Sequence, residues 1–185
     1  IGLSSILFFR MYGLFLVLPV FSALAMGLDQ ATPLLVGLAF GAYGVTQGIL
    51  QVPFGMLSDR IGRKPVIMGG LLIFVLGSVM AAVTDSVYWM IAARFLQGAG
   101  AVSSAIFALI ADLTRPEVRT RANAFLGGSI GISFGIAILS APFLSQAFGL
   151  DGLFWLISAI TMLSMGILLK GVPEVEPSSK LVEPE

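Results

Sequence analysis

Long apolar runs alternate with short polar connections six times along this chain. The runs cover about residues 2–26, 33–57, 65–83, 86–110, 122–147 and 152–170. Each holds roughly the 20 residues that cross a hydrocarbon core of about 30 Å at about 1.5 Å per residue. Apolar stretches of this length predict membrane-spanning helices. Pro33 and Pro65 open the second and third runs, at the helix position that tolerates a missing amide hydrogen. The pattern predicts an all-α membrane protein, a six-transmembrane-helix bundle over residues 1–170. The last stretch, "GVPEVEPSSKLVEPE" at 171–185, is rich in Pro, Glu and Ser and reads as a solvated cytoplasmic linker or tail.

The connections differ in charge. Those at 27–32, 84–85 and 148–151 hold Asp29, Asp85 and Asp151 and no Lys or Arg. Those at 58–64 and 111–121 hold Arg60, Arg63, Lys64, Arg115, Arg119 and Arg121, and Lys170 and Lys180 follow the last run. Basic residues on alternate connections place those connections, and both ends of this segment, in the cytoplasm.

Composition agrees with a lipid bilayer as the surroundings. The chain is 57% hydrophobic and only 11% charged, against about 25% charged in a soluble domain; its mean hydropathy is +1.01. The net charge is zero, and no basic arm interleaved with aromatics is present, so nucleic acid is not an expected partner. With no Cys and no His, disulfides, thiolate chemistry and imidazole metal ligands are excluded, and no cofactor or metal is expected. A membrane-embedded hydrolase would need a nucleophile with a base, and Ser103 and Ser104 have no such partner in the sequence. The chain begins at Ile1, inside an apolar run, and is expected to be part of a longer polypeptide. The first run is too long for a signal peptide and lacks a basic leader and a cleavage site.

Candidate chemistry lies in three places. The first is "GMLSDRIGRKPV" at 55–66. There Gly55 and Gly62 permit tight turns and close helix approach. Asp59 can meet amide donors or a helix's positive end, and Arg63 can pair with a carboxylate in bidentate fashion. A topogenic basic loop is the plainer reading of such a stretch, though its spacing is more specific than that, and Asp112 could instead be a surface charge near Arg115. The second place is the membrane interior. Arg10 and Arg94 lie within runs, where a charge costs about 2.5–3.5 kcal/mol at a helix centre. Arg10 either faces a cavity or snorkels toward the cytoplasmic side. Gln47 and Gln51, one helical turn apart, either line a cavity or hydrogen-bond to a neighbouring helix. Tyr12, Tyr43 and Gln97 are weaker candidates of the same kind. No Asp or Glu lies in the middle of any run. The third place is a pair of glycine ladders, Gly37, Gly41, Gly44 and Gly48 in the second run and Gly127, Gly131 and Gly135 in the fifth. They serve static helix packing or act as sliding faces.

Four stretches together resemble the major facilitator superfamily, in particular its drug:proton antiporter-like group. They are "RMYGLFLVLPV" at 10–20, "YGVTQGILQVPFGMLSDRIGRKP" at 43–65, "RFLQGAGAVSSAIFALIADLTR" at 94–115 and "GLFWLISAI" at 152–160. The resemblance implies a twelve-helix, two-bundle secondary transporter, not an enzyme, in the bacterial inner membrane. This chain would be its N-terminal half, a three-plus-three inverted repeat, with "RMYG" at 10–13 echoed by "RFLQG" at 94–98. The partner would be a C-terminal six-helix bundle of the same polypeptide. A small-molecule substrate would move by alternating access, as proton-coupled efflux. The resemblance also implies a gating latch, in which Arg63 links Asp59 to Asp112 and Asp59 engages the C-terminal bundle. Arg94, heading "R-x-x-Q-G-x-G", resembles a helix-four motif implicated in proton coupling. Where antiporter relatives carry Gly-Pro, this chain has Ala141-Pro142. A six-helix half-transporter or membrane scaffold working as a homodimer is the alternative reading.

Overall fold

Proline divides the first apolar run. In the computed structural model, which describes residues 2–115, 117 and 119–171, this run is two helices, α1 (Gly2–Val17) and α2 (Phe21–Ala25). Pro19 lies between them. It has no amide hydrogen to donate and its ring clashes with the preceding turn, so the single span expected over 2–26 breaks there.

The second run forms α3 (Pro33–Ile61), with Pro33 in its first turn and Thr32 as N-cap accepting from the Leu35 amide at 3.3 Å. The third forms α4 (Arg63–Ala82). The polar connection expected over 58–64 therefore shrinks to Gly62. Asp59 and Arg60 belong to the last turn of α3, and Arg63 and Lys64 to the first turn of α4. Gly62 has φ 106° and ψ 151°, a conformation open essentially to glycine alone. It turns the chain from one helix into the next with no further residues.

The fourth run is also broken, into α5 (Val87–Ala99) and α6 (Ser103–Leu113). Gly100 ends α5 against the Gly70 carbonyl and Phe74 of α4. The backbone at the break stays satisfied, since the Gly100 amide donates to the Gln97 carbonyl at 3.1 Å and the Val102 amide to the Gly100 carbonyl at 2.9 Å. The fifth and sixth runs form α7 (Arg119–Gly171), which departs from helical geometry at Gly149, φ 67°. A straight helix of this length would be about 80 Å at about 1.5 Å per residue, more than twice a bilayer core. Instead the two arms, 119–148 and 150–171, both pack on α1: Tyr12 bonds Ser140 of the first, and Gly13 abuts Ile157 of the second.

Two apolar clusters fill the bundle. One gathers Leu16, Phe21, Val36, Tyr43, Phe74, Val87, Met90 and Phe154. The other gathers Ile6, Val66, Ile67, Ile106, Leu109, Leu126 and Leu168. Beyond the first cluster, the connections holding Asp29 and Asp85 pair through their backbones: the Asp29 amide donates to the Asp85 carbonyl at 2.7 Å, and the Val87 amide to the Asp29 carbonyl at 3.2 Å. Beyond the second lie Arg63, Lys64 and Asp112. The bundle thus has an acidic end and a basic end. Outward-facing Leu34, Ile49, Leu76, Leu139 and Phe143 are all exposed, as in a protein whose solvent is lipid. Pro33–Ile61, Arg63–Ala82, Val87–Leu113 and Asn123–Gly171 are each long and apolar enough to cross a membrane. The tail expected over 171–185 lies outside the described residues apart from Gly171, the last residue of α7.

Candidate gate, buried cations and cavity

The abrupt turn at Gly62 determines what the basic end can do. It holds Asp59 and Arg63 one helical turn apart in space although they belong to different helices. An Arg63 guanidinium nitrogen, Nη1, lies 2.5 Å from Asp59 Oδ1, and Nε donates to Asp112 Oδ2 at 2.9 Å. Arg63 Nη1 also donates to Ser58 Oγ at 2.7 Å, and Ser58 in turn donates to the Gly55 carbonyl at 2.7 Å. The structure thus brings Asp59, Arg63 and Asp112 into one cluster that ties α3, α4 and α6. Arg63 at a helix N-terminus and Asp59 at a helix C-terminus each oppose the local dipole; pairing them offsets both penalties. Asp59 and Asp112 are 54% and 38% exposed against 13% for Arg63, so the cluster is a screened, breakable one. A Cβ added at Gly55 would lie 3.5 Å from Ser104 Oγ of α6, and Ser104 Oγ donates to the Gln51 carbonyl at 2.8 Å. Lys64 Nζ donates to the Leu169 carbonyl at 3.3 Å, which ties α4 to the end of α7. Arg60 is exposed.

Deeper in, Arg94 is 3% exposed and heads a directed chain of hydrogen bonds. Its Nη1 donates to Gln97 Oε1 at 2.6 Å, Gln97 Nε2 donates to Ser78 Oγ at 2.7 Å, and Ser78 donates to the Phe74 carbonyl at 2.8 Å. A guanidinium only donates, so the Gln97 oxygen must face it and the amide nitrogen must face Ser78. The charge also sits over the rings of Tyr43 and Phe21, at 4.7 and 5.3 Å, contacts that each stabilise a desolvated cation by about 0.5–2 kcal/mol. Arg10 is 2% exposed, with its guanidinium 4.7 Å from the centre of the Phe74 ring, midway along α4. It does not snorkel. Gln47 and Gln51 line an open cavity of about 600 Å³ with Met11, Gly44, Gly48, Val52 and Ser103. Arg10, Arg94 and Gln97 do not line it. Tyr12 bonds Ser140 at 3.0 Å, a contact between helices.

The glycine ladders correct the static-packing reading. A Cβ added at Gly37, Gly41, Gly44, Gly48, Gly127, Gly131 or Gly135 would meet nothing within 4 Å. Gly44 and Gly48 border the open cavity, and the other ladder glycines face out of the bundle. Sequence reasoning missed Ser58 and Ser78, which complete the two polar clusters, and Phe21 and Phe74 under the buried cations. An i, i−5 relation marked Ser58 only weakly; Ser78 lies 19 residues from Gln97 with no local signal.

The helical architecture, the apolar outer surface and the cavity on one side define a membrane-spanning half-bundle, and the comparisons name its family. The family model for the Major Facilitator Superfamily matches residues 3–185, and the chain belongs to that family. It is similar to the inner membrane transport protein YajR of Escherichia coli (strain K12), at 47% identity over 172 residues, 93% of this chain and 38% of that protein. It is also similar to multidrug resistance protein D of the same organism, at 39% identity over 95 residues, 50% of this chain and 24% of that protein. The solved POT family transporter PepTSo superposes with a TM-score of 0.83 at 16% identity, over 100% of this chain and 39% of its own. The chain therefore has the fold of the N-terminal half of a major facilitator transporter, and it spans well under half the length of the relatives it matches. These are transporters, not enzymes, and the hydrolase alternative falls with that.

Proposed function

We propose that this chain is the N-terminal bundle of a secondary transporter that moves a small solute across the bacterial inner membrane by alternating access. The basic end faces the cytoplasm, as its Lys and Arg residues favour. The carrying observation is Arg63, which joins Asp59 and Asp112 across three helices at 2.5 and 2.9 Å, at the end of the helix whose Gln47 and Gln51 line an open cavity. Asp59 has an oxygen left over and is half exposed, so it can engage a second bundle while Arg63 holds it. Breaking and remaking that contact would open and close the cytoplasmic side. The unpacked glycine faces of α3 and the first arm of α7 supply smooth surfaces for that second bundle.

The second bundle belongs to the same polypeptide; relatives more than twice as long support this over a homodimer of half-transporters. Proton-coupled efflux is the direction the antiporter resemblance and the name of multidrug resistance protein D support. Because no acid lies mid-span, the titrating group is at a helix end or on the second bundle. Asp59→Asn in the full-length protein should insert normally yet lose most of its transport into proteoliposomes; full activity would refute the latch.

A further inference from the structure

Arg94 and Arg10 are equally buried but differently provided for. Arg94 has Gln97 Oε1 as an acceptor and two rings beneath it. Among the described residues Arg10 has the Phe74 ring alone, and its Nε, Nη1 and Nη2 are all buried there without a hydrogen-bond partner. A guanidinium carries five donors and no acceptor, so when buried it calls for acceptors or a counter-charge. Among the described residues none is placed to supply one. Asp29, Asp59, Asp85, Asp112, Glu117 and Asp151 lie at helix ends or in connections, and the other four acids follow residue 171.

The same deficit recurs in the cavity wall. Gln47 Oε1, Gln51 Oε1 and Ser103 Oγ are buried without partners, and all three residues line the 600 Å³ cavity. A primary amide can turn its NH2 inward, and a hydroxyl can donate. Met11, the residue after Arg10 on α1, is part of the same wall and offers it an apolar surface. Phe74 connects the two places. It lies under Arg10, its ring meets Tyr43 edge-on at 6.4 Å one turn before Gln47, and it abuts Gly100 at the break that positions Ser103.

We propose that the transported solute is an amphipathic organic anion, a carboxylate or sulfonate, whose charge is favoured by the field of the uncompensated Arg10 behind the cavity wall and whose oxygens are met by Gln47, Gln51 and Ser103. This rests on the transporter reading and names the solute class of that cavity. The rival source of negative charge is an acid on the second bundle.

The test uses the purified full-length protein in neutral detergent, with unfolding temperature as readout. The probes are 2-naphthoate, 2-naphthalenesulfonate and the neutral 2-naphthamide. Both anions should raise the unfolding temperature of the wild type, because a ligand that binds the folded state stabilises it, and the amide should not. Arg10→Met should weaken the anion response at least about tenfold, the loss expected when an uncompensated buried charge near the site is removed. Arg10→Gln repeats the test should the methionine variant not fold. Wild type that responds to neither anion, an equal response to the amide, or an undiminished response in the variants overturns the inference. A marked loss of anion-free stability in Arg10→Met that Arg10→Lys restores, with no anion response, assigns the counter-charge to the second bundle and overturns it too. Since the readout is binding, a protein that binds these anions but carries no solute fails only as a transporter. One that carries neutral or cationic solutes and ignores anions fails only this inference.

Discussion

The bundle contains two kinds of glycine. Where α4 crosses α5, a Cβ at Gly77 would lie 2.5 Å from the Gln97 amide nitrogen, and one at Gly98 would strike the Tyr43 carbonyl of α3. Those helices touch backbone to backbone. Along α3 and the first arm of α7, glycines recur every three or four residues, and a Cβ added at any of them would touch nothing. The residue is the same and the surroundings are opposite. Close-packed glycines fix the half-bundle and hold Arg94, Gln97 and Ser78 in register. Open glycines leave faces on which something else can slide. A single half-bundle thus combines a rigid interior with two faces that it does not itself use.

Substitutions break this contrast in order of size. Gly98→Ala should be the most damaging, destabilising the protein by about 3 kcal/mol through overpacking against backbone that cannot yield; thermal unfolding of the full-length protein measures it. Gln97→Leu should follow, at about 2 kcal/mol, because it removes a hydrogen bond from a buried charge and leaves Arg94 without its acceptor. Gly62→Ala should cost about 1–2 kcal/mol, from forcing a side chain into a glycine-only conformation, and should also disturb the Asp59–Arg63 pairing. Asp112→Asn should cost less than about 1 kcal/mol, since the ion pair is partly exposed, and high salt should erase the difference. Gly131→Ala should be smallest, within about 0.5 kcal/mol. Gly131→Trp sharpens the comparison: unfolding temperature should hold while transport drops severalfold, because the bulk obstructs a sliding face. Equal thermal damage from Gly131→Ala and Gly98→Ala would abolish the distinction.

Much of this architecture was legible in the residues. Span length and the alternation of basic and acidic connections marked six crossings, because hydrophobic thickness and loop charge are local properties. The cluster of Asp59, Arg63 and Asp112 was legible through the resemblance; the spacing pointed beyond a topogenic loop but did not name Asp112 as the partner. Pro19 carried a readable signal for the break in the first run, since proline removes a donor wherever it falls. The break at Gly100 did not, because its cause is the approach of Gly70 and Phe74 from another helix. The direction of the glycine ladders was unreadable for the same reason. Four-residue spacing fixes a common face but not what faces it. Likewise, Arg10 was marked as costly by its depth, yet only the fold showed it stacked on Phe74 without an acceptor.

The central claim is that the cavity beside α3 opens alternately to the two sides of the membrane under control of Asp59. This chain has no cysteine, so Gln47→Cys, placed in the full-length protein with any other cysteines replaced, gives a single reporter in the cavity wall. The measurement is its labelling by a membrane-impermeant maleimide, in right-side-out and inside-out vesicles, with and without Asp59→Asn. The account predicts labelling from both sides, with the Asp59→Asn change raising the rate from the cytoplasmic side. Labelling from one side only, unchanged by Asp59→Asn, would contradict it.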